Sequence, residues 1–316
     1  MAVNMISRDK LSGLIPETVA QGIIKGAVEQ SAVLRMGRRL PNMTSKTHSI
    51  NVLDALPVAY WVDGDTGFKS TTSVAWDKKK IIAEELATIV PIPEAALDDS
   101  SYDIWAEISP LLNQAFGQKI DSAILFGDSK PATWRKSIYE TAEETGNIVT
   151  ATANTFDDIM GEDGVIAKVE ESGFLASGAM AAVRMKAKLR SLVDANGQPI
   201  FKSDMQSATR YALDGFPLDF PMNGAFDTSK ALMIVGDFSQ LVYAIRQDIT
   251  FKVFDQGVVQ DPESKAIMYN LMQNDMVALR AVMRLGWEIP NPINAYQPDR
   301  TKRAPFAVYK PAGAGE

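Results

Sequence analysis

Four features of this sequence have residue types suited to chemistry: the run "DGDTG" at 63–67, the lone His48, a set of acidic doublets, and Lys69. Asp63 and Asp65 stand at the alternate spacing that begins a calcium loop, which needs a closing bidentate glutamate further along. Phe68, Lys69 and Ser70 follow instead, with no glutamate at the required distance, so the run reads as a tight turn at a hairpin tip. "DANGQP" at 194–199 carries the Asn-Gly pair of a hairpin turn and reads the same way. His48 lies in a polar, strand-like run and reads as a surface or packing residue, and no second histidine exists to build a His-based zinc site. The absence of cysteine removes thiol catalysis, disulfides and iron–sulfur clusters.

The doublets Glu84–Glu85, Asp98–Asp99, Glu143–Glu144, Asp157–Asp158 and Glu170–Glu171 put neighbours on different faces of a strand or helix. A doublet is therefore not a general acid–base pair by itself, and these read as solvated surface. "LFGDSKP" lacks the spacing of a phosphate-cradling P-loop, and no G-x-G-x-x-G occurs. Lys69, on an extended arm, has the latent chemistry of an isopeptide bond, with ordinary surface charge as the simpler reading. No catalytic residue, cofactor site or metal site is expected, and the chain reads as a non-enzyme.

A chain of 316 residues forms one large domain or two of ordinary size, and 46% apolar with 22% charged residues is a globular composition. No apolar run is long enough to span a membrane, and the N-terminus lacks a secretory signal. A cysteine-free chain fits synthesis in a reducing cytoplasm. The net charge of −7 argues against nucleic-acid binding over the whole surface. Residues 1–40 go the other way, with six basic residues, Arg35, Arg38 and Arg39 among them, against three acidic ones. That segment reads as a solvated amphipathic helix or as a basic arm meeting an acidic surface.

Residues 16–34 have helical spacing, and "PNMTSKTHSINVLD" alternates as a strand. Two strand-like runs flank the "DGDTG" turn and carry Tyr60, Trp61, Phe68 and Trp76, while Trp76–Ile92 reads as a strand pair or one long strand. The strongest helix is 103–126, with Trp105, Ile108, Leu112, Phe116, Ile120, Ala123 and Ile124 at three- and four-residue steps. Ser100 and Ser101 would cap it and Gly127 end it; Pro110 kinks it or starts a second helix. Residues 128–156 read as a polar excursion, 156–173 as a helix, 178–183 as a strand, and 184–194 as a helix with a basic face. "ANGQPIF" reads as a turn into a strand, and "LMIVGDFSQLVYAIRQD" as a strand running into a helix capped near Asp237. The period of two over Val277–Leu285 predicts a long strand, and "PAGAGE" a disordered tail. The class is α+β.

Five segments in this order resemble the major capsid proteins of tailed bacteriophages, with the Hong Kong 97-type fold. The stretch from Ala59 to Ser100 resembles the family's extended loop and return strand, and "FGQKIDSAILFGDSKP" the end of its spine helix. "LRSLVDANGQPIF" and "YALDGFPLDF" resemble parts of the axial domain, and "NDMVALRAVMRLGWEIPNPINAYQ" the long peripheral strand. The resemblance implies an N-terminal arm (1–40), an extended hairpin loop (41–80), and a peripheral domain over 81–158 with its spine helix at 101–127. It further implies an axial domain (159–240), peripheral return strands (241–300) and a C-terminal tail (301–316).

It implies hexamers and pentamers in an icosahedral head around double-stranded DNA, held non-specifically, with the subunit assembled in the bacterial cytoplasm. Copies of itself, portal, scaffolding and decoration proteins are the implied partners, and no membrane. Only residues 1–15 precede the helical run at 16–34, which favours a separate scaffolding protein or none. In the loop, Tyr60, Trp61, Asp65, Phe68, Lys69 and Trp76 become candidate contacts to neighbouring subunits, and Arg35, Arg38 and Arg39 candidate basic contacts of the arm. Some members cross-link a loop lysine to an asparagine; Lys69 lies in the loop without an identifiable partner. The alternative is an encapsulin-type bacterial compartment shell of the same fold.

Overall fold

The computed structural model describes residues 31–59, 61, 69, 71–94, 104–192, 211–261 and 263–313. A single helix, α2 (Ile104–Phe126), runs unbroken through Pro110 for about 35 Å at roughly 1.5 Å per residue. Its stripe of Ile108, Leu112, Phe116, Ile120 and Ile124 is buried, as the spacing predicts. Gly127 ends it in the left-handed conformation, and the predicted caps Ser100 and Ser101 lie outside the described residues. Short α1 (Ala32–Met36) precedes it, capped by Ser31; residues 16–30 of the predicted helix are outside the described residues.

α2 is shared by two sheets. The first has the order β1 (Arg38–Arg39), β10 (Val242–Phe254), β13 (Met276–Glu288), β4 (Glu84–Pro93), antiparallel except for the β1–β10 pair. Val277, Leu279, Ala281, Met283, Leu285 and Trp287 of β13 join the helix stripe in one core. The predicted period of two in β13 does not mean one wet face: only Arg280 and Arg284 are even half-exposed, because partners cover both sides.

The second sheet is mixed and six-stranded, in the order β5 (Ile148–Thr150), β14 (Phe306–Lys310), β9 (Met233–Gly236), β6 (Gly178–Ala181), β8 (Phe216–Asp219), β7 (Ala212–Leu213). Strand alternation divides it between two cores. Met180, Ile234, Phe306 and Val308 face the α2 core. Ala179, Ala181, Met233, Val235, Ala307 and Tyr309 face a second core built with α4 (Thr155–Met160), α5 (Val165–Glu171) and α6 (Val183–Arg190).

Several expectations need correction. The excursion at 128–156 contains α3 (Ile138–Thr145), with a complete capping box of Ser137 and Glu140, and then β5. The helix expected over 156–173 is two, broken at Gly161–Gly164. After Asp237 only one 3-10 turn forms before the chain becomes β10, because the apolar run joins the first sheet. The segment read as a tail supplies β14, which is held between β5 and β9; residues 314–316 are outside the described set. β3 (Ala75–Ile82) and β4 follow one another but do not pair: β3 joins β2 (Thr47–Ala55) and β4 joins β13. The strand expected in "ANGQPIF" lies outside the described residues.

Candidate subunit-contact surfaces

β2 and β3 form a two-stranded antiparallel ribbon that belongs to neither sheet. Its root is tied down. Ile81 and Ala83 share a small core with Met43, Val242 and Ala244. The Trp134 indole N–H donates to the Ile82 carbonyl at 3.1 Å, and its ring meets Trp287 edge-on at 6.3 Å. Glu84 accepts from Thr133 at 2.8 Å and pairs with Lys46 at 3.2 Å, contacts that hold its carboxyl below the usual carboxylate range. Arg135 donates to Glu288 and to the Ile289 carbonyl, both at 2.7 Å. Burial lowers the nearby Lys79 ammonium, with Glu288 opposing. Gly286 makes the fit possible, because a Cβ there would stand 2.5 Å from the Ile82 carbonyl oxygen.

Beyond the root the ribbon is exposed. Among the described residues ladder pairing ends at Ala55 and Ala75; Val58 N–H donates to Thr72 Oγ1 at 3.0 Å past that point. Trp61 is fully exposed, Trp76 is 68% exposed, and Lys69 is exposed. Tyr60, Asp65 and Phe68, with the whole "DGDTG" turn, lie outside the described residues. His48 is an exposed member of β2.

The arm root is held by a residue the sequence reading missed. Asp121, on α2, is 0% exposed. Its oxygens accept from Ser31 Oγ at 2.5 Å, Ala32 N–H at 3.0 Å, Val33 N–H at 3.3 Å and Asn223 Nδ2 at 2.6 Å. Three segments far apart in sequence therefore meet on one carboxylate. Burial pushes its carboxyl up to about 6, against the four donors that favour the ion. The available signal was an acidic residue on the apolar side of a helix, between Ile120 and Ile124.

From α1 the chain runs along β10: Arg38 N–H donates to the Leu241 carbonyl and Leu40 N–H to the Tyr243 carbonyl, both at 2.8 Å. Arg38 and Arg39 project exposed from this edge strand, with Arg39 donating to Asn42 at 3.0 Å. Arg35 is committed within the subunit, to Asp219. The structure thus brings Arg38 and Arg39 together on one edge and turns Arg35 to a different partner.

A third exposed surface was not foreseen. β11 (Val258–Gln260) and β12 (Ile267–Asn270) make a hairpin at the far end of the β10–β13 ribbon. Leu271, Met276 and Ala278 core it, while Val258, Ile267 and Met272 stay exposed, Met272 at 70%. Apolar side chains clustered at an exposed tip mark an interaction surface. Among the described residues no group of acidic residues and histidine is arranged to hold a metal ion, and no helix is long and apolar enough to cross a membrane.

Residues 12–295 match the phage capsid family. The chain is similar to the major capsid protein of Staphylococcus phage 80alpha, 25% identical over 288 residues, covering 90% of this chain and 85% of that protein. Among solved structures, that from Microbacterium phage Oxtober96 superposes with a TM-score of 0.75 and 32% identity, covering 97% of this chain and 96% of that one. The structure from Mycobacterium phage Adephagia gives 0.76 and 28%, covering 90% and 91%.

Proposed function

The chain belongs to the phage capsid family, and from that premise we propose that its exposed ribbon and arm are the ties by which copies join into a closed head. It is a phage major capsid protein, a structural component of the virion shell with the Hong Kong 97-type fold. The finer reading is a head of hexamers and pentamers with icosahedral symmetry, assembled in the host cytoplasm around double-stranded DNA. Its first sheet and α2 are the peripheral domain, and its second sheet with α4–α6 the axial domain. Portal, scaffolding and decoration proteins complete the partner set.

One observation carries the contact assignment: the ribbon is fastened at its root and bare beyond it. Trp61 and Trp76 expose large aromatic surface that nothing in the subunit covers, and aromatics are the residues that anchor protein–protein contacts. The subunit spends Trp134, Gly286 and a small core on holding such an arm rigid at its base. Arms that overlap neighbours multiply the area each copy shares, which suits a shell whose copies meet by heterologous contacts. The β11–β12 tip is a second contact of the same kind. A mildly acidic chain surrounds DNA without clamping it, whereas strong basic lining would impede packaging and release. The relatives named above are phage proteins, which disfavours the encapsulin reading.

The test is Trp61→Ala combined with deletion of residues 64–70. Size-exclusion chromatography and electron microscopy should find folded, soluble subunits that fail to form stable shells. Particles like the parent's from this variant would refute the role of the loop.

A further inference from the structure

The helical layer over the outer face of the second sheet is electrically divided. Residues 155–172, spanning α4 and α5, hold Asp157, Asp158, Glu162, Asp163, Glu170 and Glu171 against Lys168 alone. α6, in the same layer, holds Arg184, Lys186, Lys188 and Arg190 and no acid. The two groups do not neutralise each other. Lys168 is taken by Glu171 at 3.0 Å, with Asp163 at 4.0 Å, and Arg184, Lys188 and Arg190 have no ion-pair partner among the described residues. Lys188 acts on Asp158, which is buried and accepts from Thr152 and Tyr309.

Asp157 and Asp158 suit the first turn of α4, but several other charges are placed unfavourably. Glu170 and Glu171 close α5, at the helix end whose dipole disfavours anions, and Arg184 sits in the first turn of α6, where it disfavours cations. Lys188 and Arg190 suit the last turn, but Arg184–Lys188 and Lys186–Arg190 are like-charged pairs at four-residue spacing. Among the described residues no ion pair offsets the charges of Arg184, Lys188 and Arg190. The two helices rest on different strands of the sheet. α5 lies over β5, β14 and β9, while Lys186 of α6 rests over the rings of Tyr211 (4.4 Å) and Phe220 (5.7 Å), which flank β7 and β8.

We infer that the basic face of α6 docks on the acidic rim of α4–α5 of a second copy of this chain, side by side around a ring. A ring is built from heterologous contacts, in which each copy presents two different, complementary patches. Opposite charge on different helices of one layer has that form, and it steers register as well as attraction. This inference rests on the shell-forming reading above and names the side chains of one contact within it.

The test uses the full chain with Arg184→Glu/Lys188→Glu, with Glu162→Lys/Glu170→Lys, and with all four changes together; circular dichroism checks each fold. Either pair alone should raise the protein concentration needed for assembly by about tenfold or more, and the four-fold swap should bring it back to within about threefold of the parent. High salt should weaken assembly of the parent. A reversed pair that assembles at the parent's concentration, a swap no better than either pair, or parent assembly that strengthens with salt would overturn the contact. So would a basic-face variant that assembles normally but loses binding of a 30-base-pair DNA duplex used as probe, because that would assign the face to nucleic acid. A parent chain that forms no shells at any concentration removes the shell reading itself. Normal parent shells with indifferent variants remove only this contact.

Discussion

β13 and the β2–β3 ribbon are both long alternating strand systems, and they meet at one point, where Ile81 and Ile82 cross Gly286. Along β13, eleven of thirteen positions are buried and the other two are arginines in contact with Phe254 or Glu85. Along β2 one position of nine is buried, and along β3 one of eight. The same periodicity thus serves a strand sealed inside its own subunit and one left open over most of its length. Alternation records which residues share a face; what covers the face depends on neighbours, which for the ribbon are absent from the subunit. A two-stranded ribbon alone in water is marginal, so this one depends on its root inside the subunit.

The comparison breaks first at the crossing. Gly286→Val would drive a branched side chain into the Ile82 backbone, and should cost about 3 kcal/mol or more in denaturant unfolding, or leave the chain insoluble. A variant as stable as the parent would mean that the ribbon does not need this seat. The arm root tests the buried side with a polar group. Asp121 titrates near 6 in the folded chain against 3.8 when unfolded, so the native state binds more protons between those values. Its contribution is therefore most favourable below about pH 4 and falls as pH rises through about 6, by up to about 3 kcal/mol at roughly 1.4 kcal/mol per pH unit. Unfolding free energies of the parent minus those of Asp121→Asn, measured from pH 4 to 7.5, should decline and then level off. A flat difference would show that the four donors outweigh burial. The difference is needed because Glu84, Glu140, Asp158 and Asp227, held low by their hydrogen bonds, titrate in the opposite sense. The smallest effect is expected on the open side: Trp76→Ala should change the free subunit's stability by less than about 0.5 kcal/mol while weakening shell assembly. A loss of several kcal/mol in the free subunit would place Trp76 in the fold instead.

Much of this was legible in the chain. Trp105 to Ile124 announced the long helix, Val277 to Leu285 the long strand, and the lack of cysteine with a single histidine narrowed the chemistry. The aromatics around "DGDTG" read as contact residues; Trp61 and Trp76 are exposed, and Tyr60 and Phe68 lie outside the described residues. Less legible was whatever rests on distant pairing. Ser137 and Glu140 spell a capping box, yet the surrounding polar residues hid α3. Phe306–Lys310 is too short to identify alone, and becomes a strand because β5 and β9 offer it two partners.

The sequence by itself determined the fold class and the longest helix and strand, because local periodicity and side-chain chemistry are properties of neighbours along the chain. Only the tertiary structure decided that Asp121 joins Ser31 to Asn223 and that Gly286 seats the ribbon. Those facts arise where residues about a hundred or more positions apart are forced within hydrogen-bond or van der Waals distance, and no local pattern encodes such a meeting.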